Sequence, residues 1–404
     1  MSADTDATQR CRKLLQKTQA AEKSLKEHLV TKRKAPSDPK VVSLRSTIRD
    51  NYEEIIFLDY AFAKRKDVEL SLWKSAFYKP IEEYRYRIRK LSAAAPTSPD
   101  AAAQKAETCK RFRGFLAEAG GFYTGLLRKM QTHFKLEMGG LLEMGGPLAM
   151  SGRASSDRAA AAGISSWRER VAPQYVSCHR SLIFLGDLNR YREQHKDGDG
   201  APDFSSAAKY YTRAIRLLPT IGNPFNQLAV LATYDDDECD ALYRYCRSLC
   251  LRTPFDTARD NMRLLFTKNM EKMQRLGQNS KRDAGAAKSI LVRFRTRFVR
   301  LHGILHTGRG LETFGEVQNQ VMNDLAYLHK GGVLHRPLAL RLLAINAFSL
   351  FQLHTTFDGV SAGAAVSSKA RSGSKEGQAM TAASAAACAC AFSLCCATFS
   401  MLVG

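Results

Sequence analysis

The centre of the chain repeats itself, and this constrains the fold more than any other feature of the sequence. Ala207, Tyr211 and Ala214 return 34 residues later as Ala241, Tyr245 and Ser248. Upstream, LGDLNRY (185–191) aligns with LAVLATY (228–234) at an offset of 43, and the nine extra residues fall in HKDGDGAPDFS. Small residues at fixed places let the two helices of a hairpin approach closely, while a tyrosine fills the gap to the next pair. Pro219 and Pro254 close the two units, because proline cannot continue a helix. Two such hairpins bury too little by themselves, so flanking helices must cap them.

The remainder of the chain supplies such helices. Residues 8–33 form a polar, Lys-rich helix ending before Pro36. Ile48, Tyr52, Ile55, Ile56 and Tyr60, and then Trp73, Phe77, Ile81, Tyr84, Ile88 and Leu91, recur every three or four residues, the spacing of a helix packed on one side. Pro80 interrupts the second stripe and should kink or restart it. Another helix covers about 105–137, and helical periodicity holds from Trp167 to His354 with breaks near 197–203, 219–224 and 277–281. Runs of alternating apolar residues are almost lacking, so the expected class is all-α, with hairpins of tetratricopeptide type at its centre. The expected divisions are a polar helix and linker at 1–44, a main helical domain at 45–270, a helical hairpin region at 271–357 and a low-complexity tail at 358–404. Within the main domain, the run around the duplicated LEMGG, about 138–166, reads as a disordered insertion.

Charge narrows the partners. The 61 Lys+Arg against 39 Asp+Glu leave a formal net charge of +22, which favours polyanions: nucleic acid, phosphorylated or acidic peptide, or an anionic membrane surface. The ten cysteines are scattered through helical patterns or crowded in the tail, and the polar opening MSADTDATQRCRK has no secretory character, which together suggest free thiols in a reducing compartment. From Gln378 onward the tail carries no charge and is long enough to cross a bilayer. Its Ala, Ser, Thr and Cys are weak membrane formers, so a membrane anchor is the less favoured reading.

Several stretches resemble one family. FLDYAFAKRKDVELSLWKSAFYKPIEEYR, AEAGGFYTGLL, HRSLIFLGDLNRYRE, YYTRAIRLLPTIGNPFNQLAVLATY and ALYRYCRSLCLRTPFDTARDN are similar to the ever-shorter-telomeres/SMG proteins, as are RFVRLHGIL and LALRLLAINAFSLFQLH further on. The match spans about 45–355 in the family's order. The resemblance implies a 14-3-3-like bundle on tetratricopeptide-type helices, followed by a helical hairpin array. It implies an adaptor in nonsense-mediated mRNA decay that binds a phosphorylated Upf-type RNA helicase, active in cytoplasm and nucleus and paired with a second family member. Some members associate instead with telomerase and telomeric DNA or RNA, and this alternative stays open, as does a membrane-tethered scaffold. No cofactor and no catalysis are implied, and the tail holds no carboxylate cluster for a metal-dependent nuclease.

The same resemblance marks candidate phosphate ligands. GDLNRY is similar to a Gly-Asp-x-x-Arg-Tyr string of 14-3-3 proteins whose Arg and Tyr hold phosphate, which here falls on Arg190 and Tyr191 with Asp187 orienting the arginine. A planar guanidinium grips two phosphate oxygens and a phenol adds a donor. The alternative reading makes Arg190 a solvated helix residue and Tyr191 repeat packing, in line with its match to Tyr234. The second wall is the basic helix LWKSAFYKPIEEYRYRIRK. There the family places a Lys directly after the AF dipeptide, where this chain has Tyr78, with Lys79 one place later. One residue turns a helix by about 100°, so Pro80 decides whether Lys79 regains the position. Lys79 and Arg85 are the candidates on this wall, each against a solvated charge. Asn226 in GNPFNQL resembles the asparagine that fixes bound peptide backbone in 14-3-3 proteins, against a plain packing position.

Other constellations are weaker. His302 and His306 share a helix face but lack a glutamate and a third ligand for metal. Cys246 and Cys250 read as buried thiols of a repeat helix. RYRIRK (85–90) and KSILVRFRTRFVR (288–300) interleave cations with aromatics, which suits nucleic acid, or an amphipathic helix whose Phe294 and Phe298 face a core; the second is favoured.

Overall fold

The computed structural model describes residues 2–95, 98–138, 172–198, 200–279 and 287–366. Among them the protein is all-α, apart from one isolated backbone bridge between Ile221 and Thr253. The chain forms two compact units, Met1–Leu218 and Pro219–Gly404.

The first unit begins with α1 (Ser2–Lys26), which continues as a short π-turn, Glu27–Thr31. Its charges other than Glu22 face outward, while Cys11, Thr18, Leu25 and Leu29 form a buried stripe against α2 (Pro39–Leu58). Part-buried polar ties reinforce this. Thr8 donates to Asp59 at 2.9 Å, and Glu22 accepts from Tyr52 at 2.9 Å and from Ser75 at 2.5 Å. The region expected as a separate polar helix and linker, 1–44, is therefore an integral layer of this unit, held by an apolar stripe too narrow to dominate its composition.

Asp38 caps α2 and Pro39 occupies its first turn, where a missing N–H costs nothing. Asp59 ends α2 and caps α3 (Tyr60–Arg65) by accepting from the Phe62 amide at 2.8 Å. After α4 (Val68–Leu72) comes a six-residue π-helix, Trp73–Tyr78, leading directly into α5 (Lys79–Ala94). Pro80 has no N–H, and the Lys79 amide reaches back five residues to the Lys74 carbonyl. The expected kink is thus a π-turn, which takes up one extra residue without breaking the helix. Helices α6 (Pro99–His133), α7 (Gln174–Gln194) and α8 (Ser205–Leu217) complete the unit. Its aromatic core stacks Trp73 on Phe184 with centroids 4.2 Å apart, and Tyr123 meets both Trp73 and Phe77. The insertion expected at about 138–166 lies, from residue 139, outside the described residues.

The repeat appears as two helical hairpins, α7/α8 in the first unit and α9 (Asn223–Tyr234)/α10 (Glu238–Cys250) in the second. Ala207, Tyr211 and Ala214 are buried, as are their counterparts Ala241, Tyr245 and Ser248. Ser248 satisfies its hydroxyl by donating to the Gly222 carbonyl at 2.8 Å. Gly186 is the close approach of the first hairpin: a Cβ there would lie 2.3 Å from the ring of fully buried Tyr211. Glycine inside a helix ordinarily costs about 0.5–1 kcal/mol relative to alanine. Here overpacking, worth about 1–3 kcal/mol, reverses the sign. Gly186→Ala is expected to lower the thermal midpoint of the full chain, and a raised midpoint would show that the contact is not tight.

The second unit continues through α11 (Thr257–Asn279), α12 (Ala287–Thr307), α13 (Phe314–Lys330) and α14 (Arg336–Val366). A single core joins Tyr245, Phe266, Phe294, Phe298, Val321 and Ile345. Residues on both sides of position 270 share this core, so the compact division falls at Pro219 and not at the expected 270/271 boundary. Helix α14 also runs through 358–366, where the low-complexity tail was expected to begin. No helix among the described residues is long and apolar enough to cross a membrane, and the uncharged stretch from Gln378 lies outside them.

Candidate phosphate-binding site

Helix α7 carries Asp187, Arg190 and Tyr191 within one turn and packs on α8, which presents Tyr211. Arg190 is buried at 9 % exposure. Its Nη2 donates to Asp187 Oδ1 at 2.9 Å and its Nε approaches the Tyr211 hydroxyl at 3.4 Å, while that hydroxyl donates to the same Asp187 oxygen at 2.7 Å. The Arg190 guanidinium lies 4.7 Å from the centroid of the Tyr191 ring, and the Arg85 guanidinium of α5 lies 5.0 Å from the same centroid. Tyr191 is therefore a shared cation–π platform that gathers two guanidinium groups. Arg85 is half-buried and has no carboxylate partner among the described ion pairs, which leaves Asp187 as the one carboxylate paired with these two guanidinium groups among them.

The electrostatics match this geometry. Burial pulls the Arg190 pKa down, but Asp187, helped by Tyr211 and Tyr191, more than reverses it, so the guanidinium stays charged. Burial, then Asp187, pushes the Tyr191 phenol up to about 12 and raises that of Tyr211 as well, so both keep their protons. Charged guanidinium groups and protonated phenols form a donor set suited to a multi-oxygen anion.

Of the five residues expected at the site, Arg85, Arg190 and Tyr191 come together. Tyr78, and not Lys79, faces them from the far wall: burial and Glu82 raise its pKa, Arg85 opposes, and Asp187 adds to the rise. Lys79 follows the π-turn by one residue and is turned about 100° from Tyr78 around the helix. Asn226 belongs to the second unit, is 2 % exposed, and accepts from Asn261 at 2.9 Å. Asn261 borders a cleft of about 630 Å³ with Tyr234, Lys268 and Arg275. Sequence reasoning missed Tyr78, Tyr211 and Asn261. The repeat signalled Tyr211 as a packing residue, but nothing in it signalled the hydroxyl bond to Asp187.

The other constellations are structural. His302 Nδ1 lies 2.7 Å from Ser349 Oγ, and His306 shares that hydroxyl at 3.3 Å. Among the described residues no cluster of three or more potential metal ligands occurs. Phe294 and Phe298 are buried, while Arg293 and Arg297 pair with Asp324 and Arg295 with Asp237, so this segment is the amphipathic helix expected of it. The six cysteines described are free thiols; Cys246 is buried as expected, but Cys250 is exposed.

Comparison with known proteins places this chain in a family. Residues 67–196 match the family model of the telomerase activating protein Est1, and residues 207–403 match that of the Est1 DNA/RNA binding domain. The nonsense-mediated mRNA decay factor SMG7 of Arabidopsis thaliana is 34 % identical over 335 residues, covering 74 % of this chain and 31 % of that protein. The telomerase-binding protein EST1A of Danio rerio is 24 % identical over 368 residues, covering 77 % of this chain and 22 % of its own length. Human SMG5 is 27 % identical over 230 residues, covering 57 % and 21 %. The chain thus spans about a fifth to a third of the curated relatives it matches. In fold it is similar to the crystal structure of Est1 and Cdc13, with a TM-score of 0.64 at 13 % identity, covering 97 % of this chain and 70 % of that one. With both family models matched in order along its length, the chain belongs to the Est1/SMG family.

Proposed function

We propose that the first unit is a phosphopeptide-binding adaptor module of nonsense-mediated mRNA decay, working without catalysis in cytoplasm and nucleus. Its ligand in this reading is a phosphorylated RNA helicase of that pathway, and a second family member is its partner chain. The observation that carries the reading is the pair of guanidinium groups, Arg85 and Arg190, on one Tyr191 ring, with Asp187 as their one carboxylate partner among the described ion pairs. Relatives named as decay factors support the pathway.

Charge-assisted hydrogen bonds contribute about 1.5–3 kcal/mol. Arg85→Glu is therefore expected to weaken binding of a phosphoserine peptide at least tenfold in titration calorimetry, since it removes one such donor and sets a carboxylate against the phosphate. Arg85 has no ion partner among the described residues to strand, so stability should barely move. Lys79→Glu should have a smaller effect, through the longer-range field alone. Phosphorylated and unphosphorylated peptides that bind the parent equally well would sink the reading.

A second reading, a telomerase-associated protein that binds single-stranded DNA or RNA, is favoured by the match of residues 207–403 to a DNA/RNA binding domain. Strands of each kind added to the same binding panel separate the two.

A further inference from the structure

The RYRIRK segment has an arrangement that phosphate reading does not use. In α5, Tyr84 and Ile88 enter the core and Arg85 turns to Tyr191. Arg87 bonds Glu83 at 2.6 Å, and its Nη2 also donates to the carbonyls of Arg33 and Lys34 at 2.7 and 3.1 Å. It thereby pins the basic turn Lys32-Arg33-Lys34 against α5, with Arg33 held in the left-handed region at φ 50°. The remaining residues, Tyr86, Arg89 and Lys90, project outward at i, i+3 and i+4, so they share one exposed helix face. Tyr86 is 47 % exposed. From α6, Arg111 approaches Ser37 at the end of the same turn, at 3.4 Å.

The charges here are unevenly matched. Lys32 pairs with Glu27, Lys34 with Asp38, Arg87 with Glu83 and Arg111 with Glu107. Arg33, Arg89 and Lys90 have no carboxylate partner among the described ion pairs. Three uncompensated cations on two elements locked together by Arg87, with an exposed aromatic ring among them, combine a backbone-tracking charge with a stacking surface.

We propose that Tyr86, Arg89 and Lys90, with Arg33 of the pinned turn, form a binding site for a single-stranded polynucleotide. A base stacks on Tyr86 and neighbouring phosphates lie on Arg33, Arg89 and Lys90. The site belongs to the first unit, outside the 207–403 segment that matches the DNA/RNA binding model, and it does not depend on the phosphate cluster around Tyr191.

The test uses the full chain and fluorescence anisotropy with labelled 15-nucleotide RNA and DNA strands over a salt series, beside anionic phosphatidylserine vesicles. Tyr86→Ala is expected to weaken strand binding about tenfold or more, and Tyr86→Phe to preserve it, because stacking needs the ring and not the hydroxyl. Arg89→Glu with Lys90→Glu should weaken binding more and flatten the dependence of log K on log salt by about one to two units. All four side chains are exposed, and a dichroism melt checks that the variants fold. Phosphoserine-peptide binding should be unchanged in each, which separates this site from the proposed adaptor pocket. Strand binding that Tyr86→Ala and the double reversal leave at parental strength would overturn the proposal. So would no strand binding by the parent at low salt, or loss of vesicle binding alone in the variants.

Discussion

Arg190→Glu should destabilise the first unit by about 3–5 kcal/mol, the range for stranding one member of a buried ion pair. A solvated helix arginine would tolerate this change within about 0.5 kcal/mol. The structure removes that tolerance. Arg190 is 9 % exposed, and its partner Asp187 is bonded both to it and to the Tyr211 hydroxyl. Reversal of the charge would set two carboxylates side by side beneath the Tyr191 ring, and one of them would be forced to take up a proton or leave the core. Urea unfolding should show the loss as a lower midpoint with an unchanged slope. Arg190→Met combined with Asp187→Ala should cost less than the sum of the two single changes, because the double variant leaves no unpaired charge. A single Arg190→Glu variant that unfolds with the parent would show that the pair is not buried in solution. Loss of phosphopeptide binding in Arg190→Glu therefore says little by itself, and Arg85 is the cleaner probe of the site.

The burial of Arg190 also shows how far the sequence is legible. The hairpins can be read because the close approach of two helices restricts Ala207, Tyr211, Ala214 and their counterparts to particular sizes, and such restrictions recur at a fixed period. The resemblance could carry Arg85, Arg190 and Tyr191 over, because all three lie on regular helix. It could not place Tyr78 and Lys79, since between Lys74 and Lys79 the backbone adopts a π-turn ahead of Pro80, and one residue of slip decides which side chain faces Arg85. Burial of Arg190 was hidden for a different reason. It depends on Tyr211, which lies 21 residues away and was recognised only as packing. Pro219 was legible as the end of a repeat unit but not as the division between compact units, because helical periodicity resumes beyond it and only the shared core from Tyr245 to Ile345 assigns residues 219–270 to the second unit. Asn226 was found without Asn261, the partner that supplies its hydrogen bond 35 residues on.

The second unit should lose stability on acidification through two histidines, His302 buried and His306 half-buried. Burial, and then the neighbouring His306, lowers the His302 pKa to about 3; burial, and then Arg259, lowers that of His306 to about 4. Both values fall from an ordinary 6.5, so the folded state keeps the rings neutral while the unfolded chain takes up protons first. Stability from these groups is complete above pH 6.5 and drains away as pH falls through about 4 and then 3. Each pKa unit corresponds to about 1.36 kcal/mol, so the combined loss across that window is on the order of several kcal/mol. Glu238 works in the opposite sense at the acid end, because burial raises its pKa and protonation relieves that cost. The histidine contribution is isolated by comparing the parent with His302→Gln/His306→Gln, which cannot titrate. Urea midpoints should fall steeply between pH 6.5 and 4 in the parent and more shallowly in the double variant. Equal slopes in the two proteins would mean that the rings are already charged, or already reached by water, in the folded unit. In that case the Ser349 hydroxyl, 2.7 Å from His302, could not be bridging a dry pair.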